Sequence, residues 1–293
     1  MNAIITDFKR FAIHDGPGIR TTVFFKGCSL RCVWCHNPET LSSNLEVAFY
    51  KEKCQLCGKC SEYCKNHIIE NGLHKIDRKN CNLCRECVDL CPYNALVKYG
   101  EIMDTDEICN ILLEDKDFYS LSGGGITLSG GECLLQFEAC KEILKKMKQN
   151  GVHTAIDTAG FVKEEAFDAV IPYTDMFLYD IKAINSDIHI KYTGKSNDLI
   201  LKNLEHIDSK GCNIEIRIPF IPECNSGEIA AISEYIKKLA NVSKIKLLKY
   251  HNLSESKANA LDMPCDYPKL IPNDKEIMQA KSLLESTGKP VEV

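Results

Sequence analysis

Gly125-Ile126-Thr127-Leu128-Ser129-Gly130-Gly131-Glu132 leads directly into a longer run over 133–149, and the change of rhythm between the two decides the fold. The short stretch over 125–129 suits a strand. Beyond it Leu134, Phe137, Cys140, Ile143, Leu144 and Met147 recur at helical spacing, which predicts a helix over 133–149. The alternation continues in both directions. Short β-branched runs predict strands over 22–25, 153–157, 176–180, 213–218 and 244–250. Longer amphipathic runs predict helices over 106–113, 163–170, 198–209, 227–239 and 274–287. Six strands alternating with helices describe an α/β protein with a parallel sheet, either a barrel or doubly wound.

Composition narrows the class. The chain has 293 residues and 44% apolar content, enough for a sizeable core and too much for a disordered protein. Lys and Arg number 36 against 41 Asp and Glu, a net charge of −5, which argues against a protein that grips nucleic acid by neutralising phosphates. No apolar run approaches the roughly 18 residues of a membrane helix. The opening MNAIITDFKR shows no secretory signal, so a cytoplasmic location is expected. The outlier is cysteine, with 17 copies. Clustered spacing and an odd count disfavour a disulfide scaffold and favour an intracellular metalloprotein that works without oxygen. Eleven of the 17 fall between positions 28 and 91, while Cys109, Cys133, Cys140, Cys212, Cys224 and Cys265 are scattered and read as small core residues. The expected division is therefore residues 1–48 as the first part of the α/β unit, 49–100 as an insertion and 101–293 as the remainder.

The insertion contains one repeat. Cys54, Cys57 and Cys60 followed by Cys64 return 27 residues later as Cys81, Cys84 and Cys87 followed by Cys91-Pro92. Closely spaced thiolates converge on one inorganic cluster, and in two-cluster ferredoxins the fourth cysteine of each unit crosses to the other cluster. The expectation is one [4Fe–4S] cluster on Cys54, Cys57, Cys60 and Cys91, and a second on Cys81, Cys84, Cys87 and Cys64. Zinc also takes four thiolates, but its sites use two separated CxxC pairs. About 45 residues here resemble a bacterial two-cluster ferredoxin.

A different cysteine pattern lies upstream. Cys28-Ser29-Leu30-Arg31-Cys32-Val33-Trp34-Cys35 offers three thiolates at C-x3-C-x2-C spacing and no obvious fourth, His36 being a weak candidate. A cluster held by three ligands leaves one iron open for a ligand or substrate. This spacing, with an aromatic before the third cysteine, resembles the radical S-adenosylmethionine (SAM) superfamily. The resemblance implies that Cys28, Cys32 and Cys35 are catalytic, holding a [4Fe–4S] cluster that binds SAM and cleaves it to a 5′-deoxyadenosyl radical. The flanking His14-Asp15-Gly16-Pro17-Gly18-Ile19-Arg20 and Cys35-His36-Asn37-Pro38-Glu39 resemble the glycyl radical enzyme activating enzymes, the group containing pyruvate formate-lyase activase. Activases of glycerol, hydroxyproline and choline-type eliminases and of arylacetate decarboxylases are similar in carrying a ferredoxin insertion. The implied fold is a partial (β/α)6 barrel with an inserted two-cluster ferredoxin domain.

Further motifs stand at the carboxyl ends of predicted strands, where barrel enzymes build their sites. They are Gly130-Gly131-Glu132, Asp157, Asp180-Ile181-Lys182, Arg217 and His251. Singly, each is more often a surface charge or a helix cap. With the resemblance, Trp34, Cys35, His36, Gly130, Gly131, Glu132, Asp157, Asp180, Ile181, Lys182, Arg217 and His251 are implied to line SAM, and Asp157 with Asp180 to share a monovalent cation. Asp15 is implied to clamp the substrate peptide. The implied activity is abstraction of a hydrogen atom from a glycine of a partner glycyl radical enzyme, an eliminase, dehydratase or decarboxylase, with a ferredoxin or flavodoxin as electron donor. The competing readings are a radical SAM enzyme acting on a small molecule and an iron–sulfur electron carrier.

Overall fold

The computed structural model describes residues 1–264 and 267–293. Cys265, one of the scattered cysteines, lies outside the described residues. Nine strands form one sheet. Six neighbouring strands are mutually parallel and follow chain order: Arg20–Phe25, Gly125–Gly130, His153–Thr158, Met176–Asp180, Ile214–Phe220 and Val242–Lys249. All six predicted strands are present, within two residues at each end. Because the order never reverses, every right-handed crossover steps the same way and the connecting helices share one face. This is barrel-type winding and excludes the doubly wound alternative, whose strand order must reverse. Among the described residues the sheet is open. The short parallel strand Val291–Glu292 forms one edge. On the other side, Asn2–Ala12 runs antiparallel to Arg20–Phe25 and pairs in turn with Glu101–Asp104.

Sequence periodicity explains the layering. Along Ile214–Phe220, Ile214, Ile216 and Ile218 are fully buried among the helices, while Glu215 and Arg217 point to the other face. Phe137–Gln149 seats Ala139, Cys140, Ile143, Leu144 and Met147 on the outer face of the sheet. The predicted helix over 133–149 begins as a 3-10 turn, Cys133–Gln136, which Glu132 caps through the Leu134 amide. The helix expected over 227–239 is shorter, Ile229–Ile236. The helices Lys116–Ser122, Ser186–Thr193 and Glu255–Ala260 were not predicted. Among the scattered cysteines, Cys109, Cys133 and Cys140 lie in the main core, Cys212 packs against it, and Cys224 joins Trp34, Ile221 and Tyr250 in a smaller cluster.

The insertion hangs on a ladder of its own. Glu46–Phe49 pairs antiparallel with Leu96–Tyr99, so the chain leaves and returns at neighbouring points. Between them lie a hairpin, His67–Glu70 with Leu73–Ile76, and two short helices, Lys59–Tyr63 and Glu86–Asp89. The repeat is visible in the backbone. Leu56 and Leu83 have φ of +54° and +58°, and Gly58 and Arg85 have +82° and +67°, each pair 27 residues apart. Three of these four are not glycine, and L residues adopt that conformation at a cost of roughly 1–2 kcal/mol each. Strain repeated at equivalent positions beside the cysteines marks two loops shaped around something. The local core is small: Val47, Phe49, Ala95 and Leu96 with Cys60 and Cys87. A core this small is typical of segments that fold with the help of a metal or disulfide staple. Removing the iron with a chelator is therefore expected to open the insertion first. Limited proteolysis should cut between residues 50 and 95 while the parallel sheet stays intact; cleavage no faster than in the iron-loaded protein would refute this.

Candidate active site

The SGGE segment and the first cysteine loop are built against each other. Gly130 adopts φ +119°, and a Cβ there would sit 2.2 Å from the Phe25 carbonyl oxygen; one on Gly131 would sit 2.3 Å from that of Gly27. Only glycine permits this approach. It lets the Gly131 amide donate to Phe25 O at 3.0 Å and the Glu132 amide to Gly27 O at 2.8 Å, while the Gly27 amide bonds Thr40 O at 2.7 Å. The loop that follows is therefore anchored at both ends. The Cys28 amide donates to Leu41 O, the Arg31 amide to Thr193 O and the Val33 amide to Tyr192 O.

Cys28, Cys32 and Cys35 line one wall of a cavity of about 380 Å³ at the carboxyl ends of the parallel strands. Burial pushes the thiols of Cys28 and Cys35 up to about 12 and raises that of Cys32. They stay protonated until a metal displaces the protons. Among the described residues no three cysteine sulfurs lie within 4.8 Å of one another. A tetrahedral zinc with Zn–S of about 2.3 Å would need them about 3.8 Å apart. Cys28, Cys32 and Cys35 form no such single-ion triplet, whereas in the insertion the ligand atoms of Cys60, His67 and His74 do lie that close together.

The rest of the cavity is assembled from strand ends. Trp34, His36, Gly130, Gly131, Asp157, Asp180, Lys182, Arg217 and His251 all line it. Ten of the twelve residues expected at SAM, Cys35 included, thus share one space. Glu132 and Ile181 depart from the expectation. Glu132 is 1% exposed, and its carboxylate accepts from the Thr158 hydroxyl at 2.7 Å and from the amides of Ala159 and Gly160 at 3.0 and 3.2 Å. It ties two strand ends together beneath the site instead of lining it. Ile181 belongs to the main core.

The charges form pairs. Lys182 Nζ lies 2.7 Å from Asp180 Oδ2. Burial alone would lower its pKa, but Asp180 and the nearby Cys32 outweigh burial and raise it. The Arg217 guanidinium bonds Glu215 at 3.1 Å and the His14 carbonyl at 2.7 Å, and stands 3.6 Å from Asp157. Burial pushes the Asp157 carboxyl up to about 6, opposed by Arg217 and by a 2.7 Å bond from the Ser129 hydroxyl. The rings of His36 and His251 stack at 4.2 Å and 10°, and His36 Nε2 reaches the His251 carbonyl at 3.1 Å. Burial, then His251, lowers the His36 pKa to about 4, so the His36 ring is neutral at pH 7 and lies flat against His251.

Asp15 reaches the same face from below. Arg20 is fully buried and binds Thr127 Oγ1 at 2.7 Å and the Pro17 carbonyl at 3.1 Å, stapling the 14–18 loop across the sheet. Asp15 then accepts from Thr22 Oγ1 at 2.9 Å and lies 4.0 Å from Arg217. Sequence reasoning missed Pro219, Ile221, Leu247 and Tyr250, which also line the cavity. It also missed Glu215, Lys244 and Lys246 below. Their alternation with Ile214, Ile216 and Ile245 carries the signal: a charge every second residue in an otherwise apolar strand faces a polar interior.

Comparison with known proteins agrees with this geometry. The Radical SAM superfamily profile matches residues 22–236. The trans-4-hydroxy-L-proline dehydratase activating enzyme of Clostridioides difficile is 40% identical over 296 residues, covering 98% of both chains. The (2S)-3-sulfopropanediol dehydratase activating enzyme of Klebsiella oxytoca is 38% identical over 272 residues, covering 89% of this chain and 86% of that one. In fold alone, SuiB of Streptococcus suis bound to its precursor peptide SuiA superposes with a TM-score of 0.54 at 11% identity, covering 91% of this chain and 46% of that one. The chain belongs to the radical SAM superfamily and, within it, to the activating enzymes of glycyl radical enzymes. Membership implies a [4Fe–4S] cluster and SAM. Among the described residues no helix is long and apolar enough to cross a membrane.

Proposed function

We propose that the parallel strands form a partial (β/α)6 barrel whose cavity binds SAM against Cys28, Cys32 and Cys35, and that the partner is a glycyl radical dehydratase or eliminase, with a decarboxylase as the second choice. The observation that carries this reading is the convergence of the cysteine loop and five successive strand ends on one cavity. When bound, the cluster would supply the electron for reductive cleavage of SAM, the chemistry by which a hydrogen atom would be removed from a glycine of the partner. This chain's residues hold the reactants. Lys182 offers its ammonium to the methionine carboxylate, and Gly130 and Gly131 let the backbone approach the methionine amino group. The His36–His251 stack and Trp34 provide an apolar wall for the adenosine, and Arg217 fixes Asp157 beside it. A monovalent cation between Asp157 and Asp180 would relieve the repulsion between two neighbouring carboxylates. Asp15, held on the concave face by Thr22, clamps the incoming glycine segment.

In this reading residues 1–48 and 101–293 make up the barrel, and residues 49–100 a two-cluster ferredoxin module that takes electrons from a ferredoxin or flavodoxin. Matched left-handed residues in the two repeats support it. The protein works in an anaerobic cytoplasm. The dehydratase assignment rests on the hydroxyproline-type relative.

The test is anaerobic incubation of the reconstituted protein with SAM, reductant and a purified trans-4-hydroxyproline dehydratase. A glycyl radical doublet in the partner's EPR spectrum is expected; SAM cleavage without a doublet would reject that partner. For the site, Lys182→Ala is expected to weaken SAM binding roughly tenfold to a hundredfold, since a charge-assisted contact is worth about 1.5–3 kcal/mol, and His251→Ala to weaken it by a smaller factor through loss of the stacked wall. Calorimetric titration measures this, and unchanged affinity in both variants would refute the placement of SAM.

A further inference from the structure

Two buried histidines stand between the two candidate cluster sites of the insertion. His67 and His74 lie on the paired strands of the hairpin, 5% and 7% exposed, with Nδ1 of His67 2.9 Å from Nε2 of His74. The other nitrogen of His74, Nδ1, is 3.4 Å from the sulfur of Cys54, and Nε2 is 3.8 Å from that of Cys60. Phe49 packs on the His74 ring at 4.4 Å and holds its plane. On the far side, His67 lines a cavity with Cys81 and Cys87.

The donor is set by the chemistry of the acceptor. An iron-bound cysteine sulfur has no proton and can only accept, so the hydrogen between Cys54 and His74 must be on Nδ1 of His74. The 2.9 Å contact between the rings needs one N–H and one lone pair. With both rings neutral, His67 Nδ1–H donates to His74 Nε2, and His74 Nδ1–H donates to Cys54. His74 stands at Cys54 and Cys60 and so on the side of one candidate cluster, that of Cys54, Cys57, Cys60 and Cys91. The two otherwise repeated sites are therefore unlike at this one point.

We infer that His74 is a positioning residue that sets the two ferredoxin-type clusters at different potentials: its N–H bond to Cys54 makes the cluster on Cys54, Cys57, Cys60 and Cys91 the easier of the two to reduce, and His67 fixes the tautomer. The inference rests on the two-cluster reading of the insertion. A hydrogen bond to the sulfur stabilises the reduced cluster, which carries the extra negative charge, more than the oxidised one. An electron entering the insertion comes to rest beside His74.

The test uses the full chain, anaerobically reconstituted, as the parent protein and as His74→Phe, His74→Gln and His67→Phe. Iron and zinc are measured, and the clusters are titrated redox-wise by EPR. The parent should hold about 12 iron atoms and show two resolved ferredoxin-type waves. In His74→Phe the higher wave should fall by about tenfold in its reduction equilibrium, about 59 mV for one electron, with the other unmoved. His74→Gln keeps an N–H and should recover most of the fall, and His67→Phe should fall less than His74→Phe. Full iron with both waves unmoved, or both moved equally, overturns the inference. So does one zinc per chain that is lost in His67→Phe, which would make Cys60, His67 and His74 a metal site instead. If His74→Phe does not retain its iron, the other two variants decide, and potentials equal to the parent's in both overturn it. A parent with iron for one cluster only would refute the two-cluster reading itself.

Discussion

Replacing Cys28, Cys32 and Cys35 together by alanine is expected to abolish SAM cleavage and remove about four of about 12 iron atoms per chain. The size of the effect follows from where these residues stand. They are the cysteines on the wall of the cavity that also holds Asp157, Asp180, Lys182 and His251, and removing the electron source leaves the positioning residues nothing to act on. The remaining iron, about eight atoms, should keep the spectrum of the insertion, because its eight cysteines lie between the two strands of a separate ladder, around a separate small core. Iron analysis and 5′-deoxyadenosine formation with a strong reductant measure the two halves of this expectation. Residual SAM cleavage in the triple variant would place the chemistry elsewhere. Loss of all the iron would show that the three sites do not assemble independently.

The second large effect separates electron delivery from chemistry. Replacing Cys57 and Cys84 with alanine removes one ligand from each candidate cluster of the insertion, and both residues are exposed. SAM affinity should stay near the parent value, since neither residue touches the cavity. A small strong reductant should still support SAM cleavage by reaching the cavity at Cys28, Cys32 and Cys35 directly. With a reduced ferredoxin or flavodoxin as donor, glycyl radical formation should fall by an order of magnitude or more. Side-by-side rates with the two reductants provide the measurement. Parallel loss with both would mean that the insertion stabilises the fold or docks the partner and does not relay electrons.

Much of this was readable from residue order. The six parallel strands announce themselves because each is a β-branched or apolar run buried on its outer face, as with Ile214, Ile216 and Ile218. The strand Asn2–Ala12 does not. Its first residues alternate, with Ala3 and Ile5 buried, but Lys9, Arg10 and Phe11 are all exposed, so the alternation is too short to announce an eleven-residue strand. Asp157, Asp180, Arg217 and His251 could be found because strand ends are where a wound sheet gathers its loops. Glu132 could not be sorted from them, since the same position can face the cavity or fold back under it. Three hydrogen-bond donors on the next strand end decide for the second. The pairing of His67 with His74 was equally hidden, because it depends on a hairpin register that no periodicity in four-residue strands reveals.

The ladder between Glu46–Phe49 and Leu96–Tyr99 has a consequence for how such a protein changes over time. Departing and returning backbones sit side by side, with Glu46 opposite Tyr99 and Phe49 opposite Leu96. Whatever lies between them can be exchanged, lengthened or lost without re-threading the parallel strands, much as a cartridge is swapped in a fixed holder. A loop-closure penalty that grows only with the logarithm of length opposes such exchange weakly. The inserted segment is thus free to vary while the cavity at the carboxyl ends of the parallel strands stays as it was.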